Sequence, residues 1–194
     1  MAITLQKGQK VSLDNDLRYA LVGLGWDTNR YSGGFDFDLD ASAFMLGADG
    51  KVTCDGDFVF YNQLKSSNGA VRHTGDNLTG DGDGDDEVII INFEKIPANI
   101  EKIAITVTIH DAVARAQNFG QVSNAYVRVA KLTDEFDEVG EQVLRFDLEE
   151  EFSIETSLVV CEIYRKNNEW KFNAVAGGVQ GGLETLCEMY GVNV

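Results

Sequence analysis

Proline, histidine and cysteine are all scarce in this 194-residue chain, and basic residues are half as numerous as acidic ones. Each scarcity removes a class of explanation. Cys54, Cys161 and Cys187 are odd in number, widely spaced and free of any CxxC pattern. That excludes a disulfide framework and suits a reducing cytosol. With only His73 and His110 beside them, a zinc site of four N/S ligands is a poor reading. No apolar run approaches the roughly 20 residues that a membrane helix needs. The opening "MAITLQKGQKVSL" also lacks the basic and apolar regions of a signal peptide. Sixteen Lys and Arg face 32 Asp and Glu, for a net charge of -16. Such a surface repels phosphates, so nucleic acid and anionic membranes are excluded as main partners, and multivalent cations are favoured. P-loop, nucleophile-elbow and zincin motifs are absent, and "GLGWD" is too short for a dinucleotide fingerprint.

What is abundant is strand signal. Short β-branched and aromatic runs recur between turn residues: "YALVGLGW", "FDLDASAFML", "FVFYNQL", "EVIIINF", "KIAITVTIH", "AYVRVAKL", "QVLRFDL", "SLVVCEIY" and "WKFNAV". Asn167-Asn168 between the last two suits a tight hairpin. The strands are not separated by regular helices, which argues against a doubly wound parallel sheet. An all-β, mainly antiparallel β-sandwich follows, with two short helices near 112–119 and 182–190. Asp111 is the candidate N-cap of the first helix and Gly120 its stop; Leu183, Leu186, Cys187 and Tyr190 form one stripe of the second. Pro97 alone interrupts the chain, no linker composition appears, and residues 1–194 read as one domain.

Two stretches concentrate acid. "TGDNLTGDGDGDDE" (Thr74 to Glu87) has no Lys or Arg, and "DFDLD" (Asp36 to Asp40) alternates carboxylates with apolar residues. In a strand, Asp36, Asp38 and Asp40 would line one face about 6.5–7 Å apart. Asp27, after "LVGLGW", could add a fourth oxygen. Such carboxylates either splay into solvent as a flexible loop or share a cation. Oxygen donors in this number suit Ca²⁺, whereas Mg²⁺ favours fewer carboxylates and a phosphate. Gly80, Gly82 and Gly84 leave room for backbone carbonyls to turn toward an ion. Counted from Asp81 or from Asp36, the EF-hand positions fail, so a different calcium loop is required. His73 reads as a solvent-exposed loop histidine ahead of one that orients a loop carboxylate. His110-Asp111 reads as a strand-to-helix junction, and the acids of 133–155 as a solvated face.

The order of "LVGLGWD", "DFDLDASAFML", "HTGDNLTGDGDGDDE", "IHDAVARAQNFGQVSNAYVRV", "EIYRKNNEWKFNAV" and "GGLETLCEMYGVNV" resembles the TerD-type family of tellurite-resistance and stress proteins over essentially the whole chain. The resemblance implies a Ca²⁺-binding β-sandwich without known catalytic activity, in a bacterial cytoplasmic stress system. That system includes other Ter proteins and an integral membrane member, so docking at the inner membrane is implied rather than insertion. By position, the family's acidic motifs fall on Asp27, Asp36, Asp38 and Asp40, then on Asp76, Asn77, Asp85, Asp86 and Glu87, with carbonyls of Gly80 and Gly84. The chain departs at "AGGVQGGL", where the family often has an aromatic between the glycines. If the 76–87 loop folds over the strand face, nine acids (these and Asp81) meet in one pocket, more than one ion needs, so two Ca²⁺ are expected. Ca²⁺ would then order the loop as a lid and set a partner-binding surface. A small-molecule or cyclic-nucleotide binder and a metal-dependent hydrolase are the alternatives.

Overall fold

The computed structural model describes residues 2–14, 16–28, 34–80, 84–137, 139–148 and 154–193. Among them, twelve strands form: β1 (Ile3–Thr4), β2 (Lys10–Ser12), β3 (Tyr19–Gly25), β4 (Leu39–Leu46), β5 (Phe58–Val59), β6 (Val71–His73), β7 (Glu87–Asn92), β8 (Lys102–Ile109), β9 (Tyr126–Leu132), β10 (Glu141–Asp147), β11 (Ser157–Lys166) and β12 (Glu169–Val179). They make two six-stranded sheets, ordered β1-β10-β9-β3-β7-β6 and β2-β12-β11-β8-β4-β5. Every pairing is antiparallel except β1 with β10. The expected all-β sandwich is what the chain forms.

Alternation along each strand assigns the faces. In β3, Val22 and Leu24 enter the core between the sheets, while Leu21 joins Ile90, Ala130 and Leu132 on the outer side. In β4, Leu39, Ala41, Ala43 and Met45 point inward to meet Ile103, Ile105 and Val107 of β8. Phe44 and Leu46 point outward and are covered by helix α2 (Leu183–Tyr190) through Leu186, Cys187 and Tyr190. Phe44 stacks 4.4 Å from Phe58 and lies 4.6 Å from Tyr190, so an aromatic column fixes the helix to the sheet. The helix ends as its sequence predicts, with Gly191 left-handed. Asn167 and Asn168 both take positive φ in the β11–β12 hairpin. No helix among the described residues is long and apolar enough to cross a membrane.

Helix α1 differs from expectation. It spans Ala112–Arg115 rather than 112–119. Asp111 is itself left-handed and makes no side-chain cap bond, and Ala116, also left-handed, ends the helix before Gly120 is reached. The reason is burial. Gln117 and Phe119 are drawn inward, and the Gln117 amide donates to the Phe35 and Asp36 carbonyls at 2.9 and 3.2 Å, which straight helix would not allow.

The outer apolar cluster under α2 yields a test. Leu186 is fully buried, so Leu186→Ala should cost about 2–5 kcal/mol and lower the melting midpoint by about 2–4 °C per kcal/mol. Met189→Ala, on the exposed side of the same helix, should stay within about 0.5 kcal/mol of the parent. Equal losses in chemical denaturation would contradict this packing.

Candidate functional site

At one end of the sandwich, the segment before β4, the start of β4 and the loop before β7 converge. Asp38 precedes the strand, Asp40 lies within it, and Asp76 comes from the loop; one carboxylate oxygen of each lies within 4.8 Å of the others. Asp38 and Asp40 are buried, and Asp76 is exposed. Glu87, the first residue of β7, is fully buried behind them and points between the sheets. Its placement follows from the backbone. β5 reaches only Ala43 and Phe44, so the Ala41 amide lies beyond it and donates to Glu87 Oε2 at 2.5 Å.

The electrostatics are costly. The Asp40 carboxyl is pushed up to about 8, by burial first and then by the charges of Glu87, Asp38 and Asp76. Asp38 and Glu87 are raised too, again mainly by burial. Asp38 Oδ1 and Glu87 Oε1 are buried and have no hydrogen-bond partner among the described residues. The nearby basic side chains are weakly engaged: Arg115 Nη1 lies 3.5 Å from Asp38 Oδ2, and His110 Nδ1 lies 3.8 Å from Asp40 Oδ2. Crowded anionic oxygens with unused lone pairs fit a hard cation, and the donors are all oxygen.

The other expected residues are placed elsewhere. Asp85 lies over the outer face of the first sheet, where Arg128 Nη2 reaches Oδ2 at 2.7 Å and Tyr126 donates to Oδ1 at 3.2 Å. Gly23 is what admits it, since a Cβ there would overlap the Asp85 carboxylate. Tyr126 also donates to the Gly84 carbonyl at 2.8 Å. Asp86 fastens its own loop, accepting from the Trp26 amide at 2.9 Å and from Asn77 Nδ2 at 3.1 Å. Asn77 Oδ1 accepts from the Gly80 amide at 3.1 Å, and Gly80 (φ 67°) packs where a side chain would strike the Trp26 indole. Asp27 Oδ2 accepts from Asn124 at 2.6 Å. Asp36 is exposed and is not in the group that Asp38, Asp40 and Asp76 form; the strand begins only at Leu39, so strand alternation does not reach back to it. Asp81, the remaining member of the expected pocket, lies outside the described residues.

His73 corrects the reading of a solvent-exposed loop histidine. It ends β6, is 2 % exposed, and places Nε2 3.4 Å from Glu87 Oε2, while Nδ1 accepts from the Gly75 amide at 3.2 Å. The alternation in "VRH" carries a strand signal, but three residues are too few to stand out in a sequence scan. Arg115 and Arg128 were also missed. They come from segments 77 and 43 residues away from their partners, and no local pattern reports such contacts.

Fold and site together define an antiparallel β-sandwich with a buried carboxylate cluster at one end. The chain belongs to the TerD family: the TerD domain model matches residues 1–190. It is similar to general stress protein 16U of Bacillus subtilis (strain 168), at 54 % identity covering all of both chains. It is also similar to the tellurium resistance protein TerD of Serratia marcescens, at 51 % identity covering 100 % of this chain and 99 % of the relative. A crystal structure of a telluride resistance protein (TerD) homologue from Streptomyces coelicolor A3(2) superposes with a TM-score of 0.70 at 22 % identity, over 91 % of this chain and 99 % of that one. This last likeness bears on the fold.

The two kinds of carboxylate respond to mutation with opposite signs. In chelator-treated protein, Asp85→Asn breaks a buried ion pair and should cost about 3–5 kcal/mol. Asp40→Asn removes a buried carboxyl that folding forces to keep its proton, and should raise the melting midpoint at neutral pH, by about 2–4 °C for each kcal/mol gained. The folded protein keeps a proton on Asp40 that the unfolded chain releases near pH 4. Folding without metal therefore becomes less favourable as pH rises from about 4 toward 8. Melting curves of the parent and Asp40→Asn proteins between pH 5 and 8 check this: the parent's decline should be the steeper. Parallel curves would contradict the assignment.

Proposed function

We propose that the chain is a calcium-binding, non-enzymatic module of a bacterial tellurite-resistance and general stress system, with Asp38, Asp40 and Asp76 holding the ion. The observation that carries this reading is the set of three carboxylates within 4.8 Å, with a buried, unpartnered oxygen on Asp38. Ca²⁺ suits an all-oxygen set supplied partly by an exposed loop, since it accepts flexible geometry. Among the described residues Asp38, Asp40 and Asp76 offer donors for one ion, and the second Ca²⁺ of the reading is proposed without a located donor set. Glu87, pinned to Ala41, would set the charge behind that ion. The stress and tellurium-resistance names of the relatives support the cellular setting. In that setting the module acts in the cytoplasm, at times beside the inner membrane. Its partners are other Ter proteins and their membrane-embedded member. Calcium draws Asp76 and its loop against Asp38 and Asp40, and so determines the surface that partners meet.

A cleft of about 640 Å³ adjoins Asp40, which keeps a small-molecule ligand as the second reading. Its lining includes Asp111 and Glu184 and neither Lys nor Arg, a poor surface for a nucleotide phosphate.

Calorimetric titration of chelator-treated protein with Ca²⁺ and with Mg²⁺ tests the proposal. Ca²⁺ should bind more tightly, and at a hundredfold excess over Kd it should stabilise the fold by about 2.7 kcal/mol. Asp38→Asn and Asp40→Asn should each weaken binding about tenfold or more, whereas Glu135→Gln, outside the cluster, should leave it nearly unchanged. Melting midpoints independent of calcium from micromolar to millimolar would sink the proposal.

A further inference from the structure

Among the described residues, one permanently charged side chain touches the acid cluster from outside. Arg115 Nη1 lies 3.5 Å from Asp38 Oδ2, while the other oxygen of Asp38 is buried and unpartnered. The contact is loose beside the 2.7 Å pair that Arg128 makes with Asp85. In the same position the guanidinium centre lies 5.8 Å from the centroid of the exposed Phe35 ring, a face that attracts cations. The segment bearing Arg115 is strained: α1 has four residues and is bracketed by left-handed Asp111 and Ala116, neither of them glycine. The side chains that face Asp38 electrostatically are His110, Arg115 and Asp76, and of the three only Arg115 is a fixed positive charge.

We propose that Arg115 is an internal counter-cation that competes with the metal for Asp38, so that loading of the acid cluster displaces Arg115 and loosens α1. This rests on the calcium reading of Asp38, Asp40 and Asp76. A divalent ion held by the unpartnered oxygen of Asp38 and a guanidinium at Oδ2 share one carboxylate and repel each other, and the ion brings twice the charge. Arg115 therefore turns away from Asp38, and the Phe35 ring it already faces gives it a cation-attracting surface to stay against. α1, whose two left-handed ends already cost conformational energy, loses its tether to the cluster. Gln117, bonded to the Phe35 and Asp36 carbonyls, keeps the next residues in place, which confines the change to 112–116.

The test reads two quantities that move in opposite directions. Arg115→Gln removes the competitor, so Ca²⁺ affinity by calorimetry should tighten about tenfold. The same change removes a counter-charge, so the chelator-treated variant should melt lower than the parent. Arg115→Lys keeps the charge and should bind Ca²⁺ within about threefold of the parent. A residue that merely positions Asp38 would lose affinity as well as stability. Weaker or unchanged binding by Arg115→Gln overturns the proposal while leaving the calcium site standing. If neither parent nor variant binds Ca²⁺, the site reading itself fails and takes this proposal with it. Hydrogen exchange on the parent protein tests the same idea without a variant. Ca²⁺ should speed exchange of the Arg115 and Ala116 amides while slowing it in β4 and β7; unchanged or slowed exchange at the two amides overturns the proposal.

Discussion

Asp40 is 5 % exposed, and its carboxyl stands among the charges of Glu87, Asp38 and Asp76. Much of the molecule is arranged around that crowding. The two sheets are bridged where Glu87 leaves one and accepts the Ala41 amide of the other, so a single carboxylate both completes a strand edge and raises the charge of the cluster. His73 backs Glu87 from the neighbouring strand. A hydrophobic set of the same size would pack here without repulsion, and buried charges of one sign are poor glue. Under the proposed reading, their presence is explained by the cation they would hold.

The chain handles its acidic residues in two ways. Asp85 is given an internal cation, Arg128, and becomes part of the scaffold. Asp86 and Asn77 are used as fasteners that hold the loop to Trp26 and to its own backbone. Asp76, by contrast, is left exposed within reach of Asp38 and Asp40. Position in the loop decides the role. Residues next to β7 are held by strand geometry, whereas Asp76 follows His73 closely enough to remain near the sheet end. A loop that looks like one run of negative charge is therefore divided between structure and site.

Strand runs, the β11–β12 hairpin and the buried stripe of α2 were legible because each is a local pattern with a fixed period. The family resemblance was legible because the acidic motifs are ordered and closely spaced. Asp38 and Asp40 do come together beside Asp76, but strand alternation does not account for it, since the strand starts only at Leu39, after Asp38. His73 and the two arginines were not legible. Their roles depend on which strands become neighbours, and β6 is too short to announce itself. The helix after His110 was overestimated because helical pattern ignores the pull of a buried Gln117.

The claim on which everything else rests is that the acid cluster carries charge the fold itself does not neutralise. Carbon-detected nuclear magnetic resonance of the Asp40 carboxyl during a pH titration addresses it directly. In chelator-treated protein the account predicts a titration near pH 8, moving below the ordinary carboxylate range when Ca²⁺ is added. An Asp40 that titrates near pH 4, and does so equally with and without Ca²⁺, would contradict it.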